Sequence, residues 1–174
     1  GAKGTLTWGS GADPVTLDPA DATDGESVKP IANLFDTLVR YKDGTTEVEP
    51  CLATAWTVSD DKLTWTFTLR EGVKFHDGTP CDAAAVAFSF ERQRDPQHPF
   101  HQGEFVYWHD QFSVVQKVEA TDPHTVVFRL EKPFVPFLAN LAMFTASIVS
   151  PARFEALKGK EPGFSSLPVG SGPF

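Results

Sequence analysis

The chain has 174 residues, 41% of them hydrophobic and 22% charged, with a net charge of −8. That length and composition predict one sizeable folded core, and no run of about eighteen apolar residues is present that could cross a bilayer. Lys and Arg are scattered rather than gathered into a stripe, which argues against nucleic acid as a partner, because neutralising phosphates supplies most of such binding.

In chain order, residues 5–8 (TLTW) read as a short strand, followed by a loop, GSGADPVTLDPADATDG, dense in Gly, Pro and Asp over residues 9–25. A loop of that length in a compact domain is usually functional. The apolar set Val28, Ile31, Ala32, Leu34, Phe35, Leu38 and Val39 recurs at helical spacing, which predicts an amphipathic helix over residues 26–40, with Pro30 near its first turn. In KLTWTFTLREGVKF, residues 62–75, Leu63, Trp65, Phe67 and Leu69 alternate with Thr64, Thr66, Thr68 and Arg70, the pattern of a strand with one buried face. FHDGTPCDAAAVAFSFERQ, residues 75–93, then reads as strand end, turn and helix, with Asp82 or Asp77 placed to accept from the open N–H groups of a helix over residues 82–94. Two more strands are expected at 112–121 and 124–131 around an Asp122-Pro123 turn, then short helices near 136–142 and 151–158, the latter with Ser150 as cap and Pro151 at its first position. An antiparallel sheet flanked by helices makes the fold class α+β.

Few residues form a constellation that performs chemistry. His76 and Asp77 fall in a turn with no nucleophile or metal partner at recognisable spacing, so a hydrolase built on them is a weak rival. His98, His101 and His109 lie close in sequence, but a zinc site wants tighter ligand pairing, and no metal or other cofactor is expected. Tyr107 and Trp108 either stack on a ligand or pack a long loop onto the sheet. Cys51 and Cys81 admit three readings: two buried thiols, one disulfide, or part of a metal site. The glycines of GSG at 9–11 and 170–172 are not phosphate loops, since no helix with a Lys-Ser/Thr follows; the second pair instead lets a ligand or another segment approach the backbone closely. A chain that stops at Phe174, just after a Gly/Pro turn, reads as a piece of something longer.

The ordered series LDP (17–19), LFDTLVRY (34–41), EPCLATAWTVSDD (49–61), LTWTFTLREGVKFHDGTPCDAAAVAFSFER (63–92), TVVFRLEKPFVPFLANLA (125–142) and PVGSGPF (168–174) resembles the family 5 extracellular solute-binding proteins, the peptide-binding components of ABC transporters, and is most similar to their dipeptide-binding branch. The resemblance implies the N-terminal portion of a periplasmic-binding-protein-like fold whose two lobes close on ligand. Residues 1–33 would start lobe one, 34–162 would form a peripheral subdomain, and 163–174 would return to lobe one. It implies a peptide ligand, a membrane permease as partner, a monomer, and a periplasmic or otherwise extracytoplasmic location, with a lipid anchor open for the parent. Asp24, Gly25 and Ser27 become the leading ligand contacts, with Ala12 and Asp13 behind them, and Tyr107 and Trp108 on a peripheral aromatic loop. The family usually has other small or apolar residues where Cys51 and Cys81 stand, so a bridge between them would belong to this protein alone. Relatives that carry nickel complexes, haem, opines or oligosaccharides keep the cargo open, and a protein-interaction module is the remaining rival.

Overall fold

The computed structural model describes residues 9–174, so the strand expected at 5–8 lies outside the described residues. Its centre is an antiparallel sheet of β3 (Ala53–Val58), β4 (Thr64–Leu69), β5 (Val115–Asp122) and β6 (Thr125–Leu130) in the order β3-β4-β6-β5. The alternation of residues 63–70 sets the register: Phe67 and Leu69 are buried, Thr68 and Arg70 are exposed, and Phe67 pairs with Val126 on β6. The β5–β6 turn is made at Asp122-Pro123, where Asp122 Oδ1 accepts from His124 N at 2.8 Å.

Several expected elements are shorter than their patterns: β4 covers only Thr64–Leu69 of the stretch 62–75. Helix α1 spans Gly25–Leu34 and stops there, because Leu34 O accepts from Gly172 N at 3.0 Å and Phe35 turns to extended backbone. Residues 39–41 instead form β1 (Val39–Tyr41), paired with β2 (Val48–Pro50) through Val39↔Pro50 and the Arg40–Glu49 ion pair at 2.7 Å. Leu38 and Val39 are buried at helical spacing from Leu34, yet long-range backbone bonds decide their conformation: Leu52 N donates to Thr37 O and Ala53 N to Leu38 O. Pro30 lies inside α1 rather than in its first turn, so the bond its N–H would make to Glu26 O is absent. Strand β5 begins at Val115, since residues 106–111 form a helix, α3 (Val106–Gln111), and Phe112 caps it.

Helix α2 (Ala83–Arg94) starts where expected, and Asp82 alone is its cap, accepting from Ala85 N at 3.0 Å. Asp82→Ala is expected to cost about 1 kcal/mol, read as a lower urea midpoint with unchanged slope. Phe88 and Phe90 lie about 200° apart around the helix and serve two different clusters. Phe90 meets Phe112 and Phe128 edge-on at 5.4 and 4.9 Å in the main core over the sheet. Phe88 meets Phe100 and Phe154 at 5.7 and 5.5 Å, bordering a second cluster that holds Ile31, Phe35 and Phe164. Burying each such ring contributes about 1.5–3 kcal/mol. Helices α4 (Phe137–Asn140) and α5 (Pro151–Leu157) complete the layer, α5 with Ser150 as cap, accepting from Arg153 N, and Pro151 at its start.

Candidate functional site

The loop before α1 is pinned at two points. Ser27, completely buried, accepts from Val15 N at 3.0 Å and Thr16 N at 3.2 Å and donates to Asp24 Oδ2 at 2.6 Å. That uses its one donor and both lone pairs, so Ser27 acts on the loop and has no hydrogen-bonding capacity left for a ligand. Asp24 also accepts from Ser27 N at 2.8 Å, capping α1, and Ser10 is bonded to the Glu26 carboxylate. Residues 9–14, with Ala12 and Asp13, and Gly25 are left exposed at the N-terminal end of the helix. Bonds from the Ser27 hydroxyl and the Ser27 amide hold the Asp24 carboxyl below its ordinary value of 3.8. A lowered folded pKa means that this contribution to stability is complete above the ordinary value and is lost as pH falls through the lowered one. An NMR titration should accordingly find Asp24 midpoints below 3.8, with the Ser27 amide shift moving in step.

The second pin is an ion pair that no local pattern announces. Arg92 of α2, 1% exposed, makes a fork to Asp18 at 2.9 and 2.6 Å and lies over the Phe154 ring at 4.7 Å. Asp18 also accepts from Ala20 N at 3.1 Å, turning the chain into the Asp24 cap. Asp21 accepts from Glu104 N at 3.2 Å, and burial is the main cause of its raised pKa. The segment leading to α3 thereby meets the pinned loop. A cleft of about 450 Å³ opens beside these residues, lined by Thr16, Asp18, Asp21, Phe154, Lys158 and Lys160 among others.

Tyr107 and Trp108 stand on α3 rather than on a loop, entered through Phe105, whose φ of 43° places it in the left-handed region. Trp108 is buried in the main core against Phe112, while Tyr107 is half-buried and edge-on to Phe144 at 5.8 Å. The structure thus brings Ala12, Asp13, Asp24, Gly25 and Ser27 together at the start of α1 and places the two aromatics elsewhere.

At the opposite end of α1, about 15 Å away for a ten-residue helix, the segment 169–172 is packed under Asn33 and Leu34. Gly170 and Gly172 touch those backbone carbonyls so closely that a Cβ at Gly170 would lie 1.9 Å from Leu34 O. The close approach expected of this GSG is to another chain segment. His76 N donates to Gly170 O at 2.9 Å, and His76 Nε2 lies 2.7 Å from Gly172 O. Asp77 accepts from Thr79 N and from Ser150 Oγ, at 2.9 and 2.7 Å, so its carboxylate ties the turn to the start of α5. Both residues of the HDG turn are spent on holding neighbouring segments.

The three histidines diverge. His98 packs on Phe88 and Phe100, His101 Nδ1 lies 2.8 Å from Arg92 O, and His109 is exposed. Among the described residues no group of three or more His, Cys, Asp or Glu could hold a metal ion. Cys51 and Cys81 are both free thiols, not a bridge, and Cys51 is half-buried rather than buried. Sequence reasoning missed Asp18, Asp21, Arg92 and the Asp36 carboxylate beside Cys51; LDP within a recognisable motif was the one available signal for Asp18.

The described residues thus present an exposed loop clamped onto a helix start, beside an antiparallel sheet with flanking helices. The model of the bacterial extracellular solute-binding proteins, family 5 (middle region), matches residues 47–174, and the chain belongs to that family. It is 42% identical over 179 residues to the probable D,D-dipeptide-binding periplasmic protein DdpA of Escherichia coli K12, covering 99% of this chain and 33% of that protein. It is 36% identical over 187 residues to heme-binding protein A of Haemophilus influenzae, covering 99% of this chain and 34% of that protein. The structure of the periplasmic binding protein DppA from Helicobacter pylori in complex with the peptide STSA superposes with a TM-score of 0.84 at 41% identity, over 94% of this chain and 35% of that one. The chain spans about a third of the length of the relatives it matches.

Proposed function

We propose that this chain is part of the substrate-binding component of an ABC transporter, capturing dipeptides or short oligopeptides outside the cytoplasmic membrane and presenting them to a membrane permease. The observation that carries this reading is the similarity to dipeptide-binding proteins over the whole chain, including one solved with a peptide. The loop geometry fits it. Exposed backbone at residues 9–14, held by Ser27 just beyond, offers main-chain groups to a ligand, and tolerance of varied side chains requires recognition of the common peptide backbone.

Ala12, Asp13 and Gly25 are the direct contacts in this reading, Asp24 and Ser27 set their position, half-buried Tyr107 is at most a peripheral contact, and Trp108 is part of the core. Residues 1–33 and 163–174 belong to lobe one and 34–162 to a peripheral subdomain; the packing of 170–172 against Asn33 and Leu34 joins the two lobe-one pieces where the chain leaves it. Ligand stabilises the closed state by bridging two lobes, so one lobe alone binds weakly. The protein acts as a monomer, without cofactor or catalysis.

Native mass spectrometry of the natural polypeptide that carries this chain, as purified, tests the cargo. A ladder of retained peptide masses is expected. Hexose increments, a heme mass, or a metal-sized increment lost with chelator would overturn the peptide reading; heme is the alternative favoured by the relative from Haemophilus influenzae.

A further inference from the structure

Cys51 and Cys81 stand around one carboxylate. Cys51 Sγ donates to Asp36 Oδ1 at 3.8 Å, Ser171 Oγ donates to Asp36 Oδ2 at 2.8 Å, and Asp36 and Cys51 both lie near enough to Cys81 to act on its charge. The backbone brings the two thiols in from adjoining segments. Leu52, next to Cys51, accepts from Arg70 N at 2.8 Å at the end of β4, and three residues on, Val73 O accepts from Cys81 N at 3.0 Å. Val73 and Cys51 line the same shallow cleft. Cys51 is the accessible partner, half-buried between Asp36 and the Arg40 and Arg70 side chains, whereas Cys81 is 5% exposed.

We infer that Cys51 and Cys81 are a dithiol that closes to an intramolecular disulfide when the chain meets an oxidising extracytoplasmic compartment. The inference rests on that location and is independent of the cargo. The oxidant is a disulfide, carried by a thiol oxidase protein or by a small dithiol couple. Cys51, as thiolate, attacks one oxidant sulfur, forming a mixed disulfide and releasing the other sulfur as thiolate. Cys81, deprotonated in turn, attacks the Cys51 sulfur and expels the second oxidant sulfur. Two electrons pass to the oxidant, and the two thiol protons end on its two sulfurs. Burial pushes the Cys81 thiol up to about 12, against the pull of Ser171 and with Asp36, Asp82 and Cys51 adding to the rise, while burial and then Asp36 raise Cys51. Thiolate is therefore scarce at neutral pH, and closure is slow until an oxidant of low leaving-group pKa supplies the drive.

The bridge would tie the entry to β3 to the turn at 73–81, whose His76 holds Gly170 and Gly172. Closing the loop from 51 to 81 should raise the thermal midpoint on the order of 10 °C. The test incubates the chain in a glutathione disulfide and glutathione buffer until its thiol content no longer changes, so that the readout is the equilibrium and not the slow rate, then denatures it without reductant and alkylates. The expected product takes no alkyl group and is about 2 Da lighter than the dithiol, and reduction restores two reactive thiols. Two alkylated cysteines after oxidation overturn the inference, as does an end product that is a disulfide-linked dimer or a stable glutathione adduct. Cys51→Ser is expected to leave one alkylatable thiol and to abolish the oxidation-dependent gain in thermal midpoint; an equal gain in this variant also overturns it. Failure here leaves the peptide reading untouched, and a non-peptide cargo leaves the disulfide untouched, because neither experiment uses the other's readout.

Discussion

Arg92→Ala is expected to destabilise the chain by about 3–5 kcal/mol, a large share of the roughly 5–15 kcal/mol that holds a typical domain folded. The side chains of Arg92 and Asp18 are 1% and 9% exposed, and their fork of two bonds at 2.9 and 2.6 Å is the main compensation for two desolvated charges. Removing the guanidinium leaves the Asp18 carboxylate buried without it and opens space between the Phe105 and Phe154 rings, over which the guanidinium lies at 5.4 and 4.7 Å. The double substitution Asp18→Leu with Arg92→Met removes both charges at similar volume and should recover most of the loss, since a buried pair often contributes little beyond what packed hydrophobic residues would. Urea unfolding of the two single variants and the double one gives the coupling directly. A loss below about 1 kcal/mol for Arg92→Ala would mean that water reaches the pair and that the loop at 9–24 is held by Ser27 alone.

Gly170→Ala should be comparably damaging for a different reason. The added methyl would lie 1.9 Å from Leu34 O, 2.7 Å from its carbonyl carbon and 2.8 Å from Phe35 Cδ1. The first two are backbone atoms at the end of α1, so no side-chain rotation relieves the clash. Residues 169–172 must move away, taking with them the Gly172 N to Leu34 O bond at 3.0 Å that ends the helix and the Ser171 bond to Asp36 at 2.8 Å. A loss of about 3 kcal/mol or more is expected, a drop of about 6–12 °C in thermal midpoint. Gly44→Ala is the control: its φ of 72° is strained for alanine, but nothing lies within 4 Å of the added carbon. That variant should cost only about 1 kcal/mol. Equal losses in the two would show that residues 169–172 yield to the methyl at little cost, so that close packing is not what Gly170 supplies.

The features that could be read along the chain are those whose causes are local. The alternation at 63–70 specified a buried face, Asp82 and Ser150 announced helix starts within three residues of the amides they cap, and Asp122-Pro123 marked the turn between β5 and β6. The ordered motifs likewise pointed to the solute-binding family that the comparisons show. Helical spacing misled at residues 35–40, because Leu38 and Val39 satisfy a helix pattern and a short buried strand equally well until the carbonyls of Thr37 and Leu38 find Leu52 and Ala53. Tyr107 and Trp108 read as loop aromatics since no apolar period is visible in six residues of α3.

By itself, then, the sequence determined the α+β class, the family and the local caps, all set by interactions a few residues long or by motif order. Only the tertiary structure decided that Ser27 positions the loop instead of presenting itself, that Trp108 is core, that Gly170 makes room for Leu34, and that Asp18 needs Arg92. Those contacts join distant residues, 136 positions apart for Gly170 and Leu34 and 74 for Asp18 and Arg92. Their energies depend on burial and on the approach of two backbones, quantities that exist only once the chain has closed on itself.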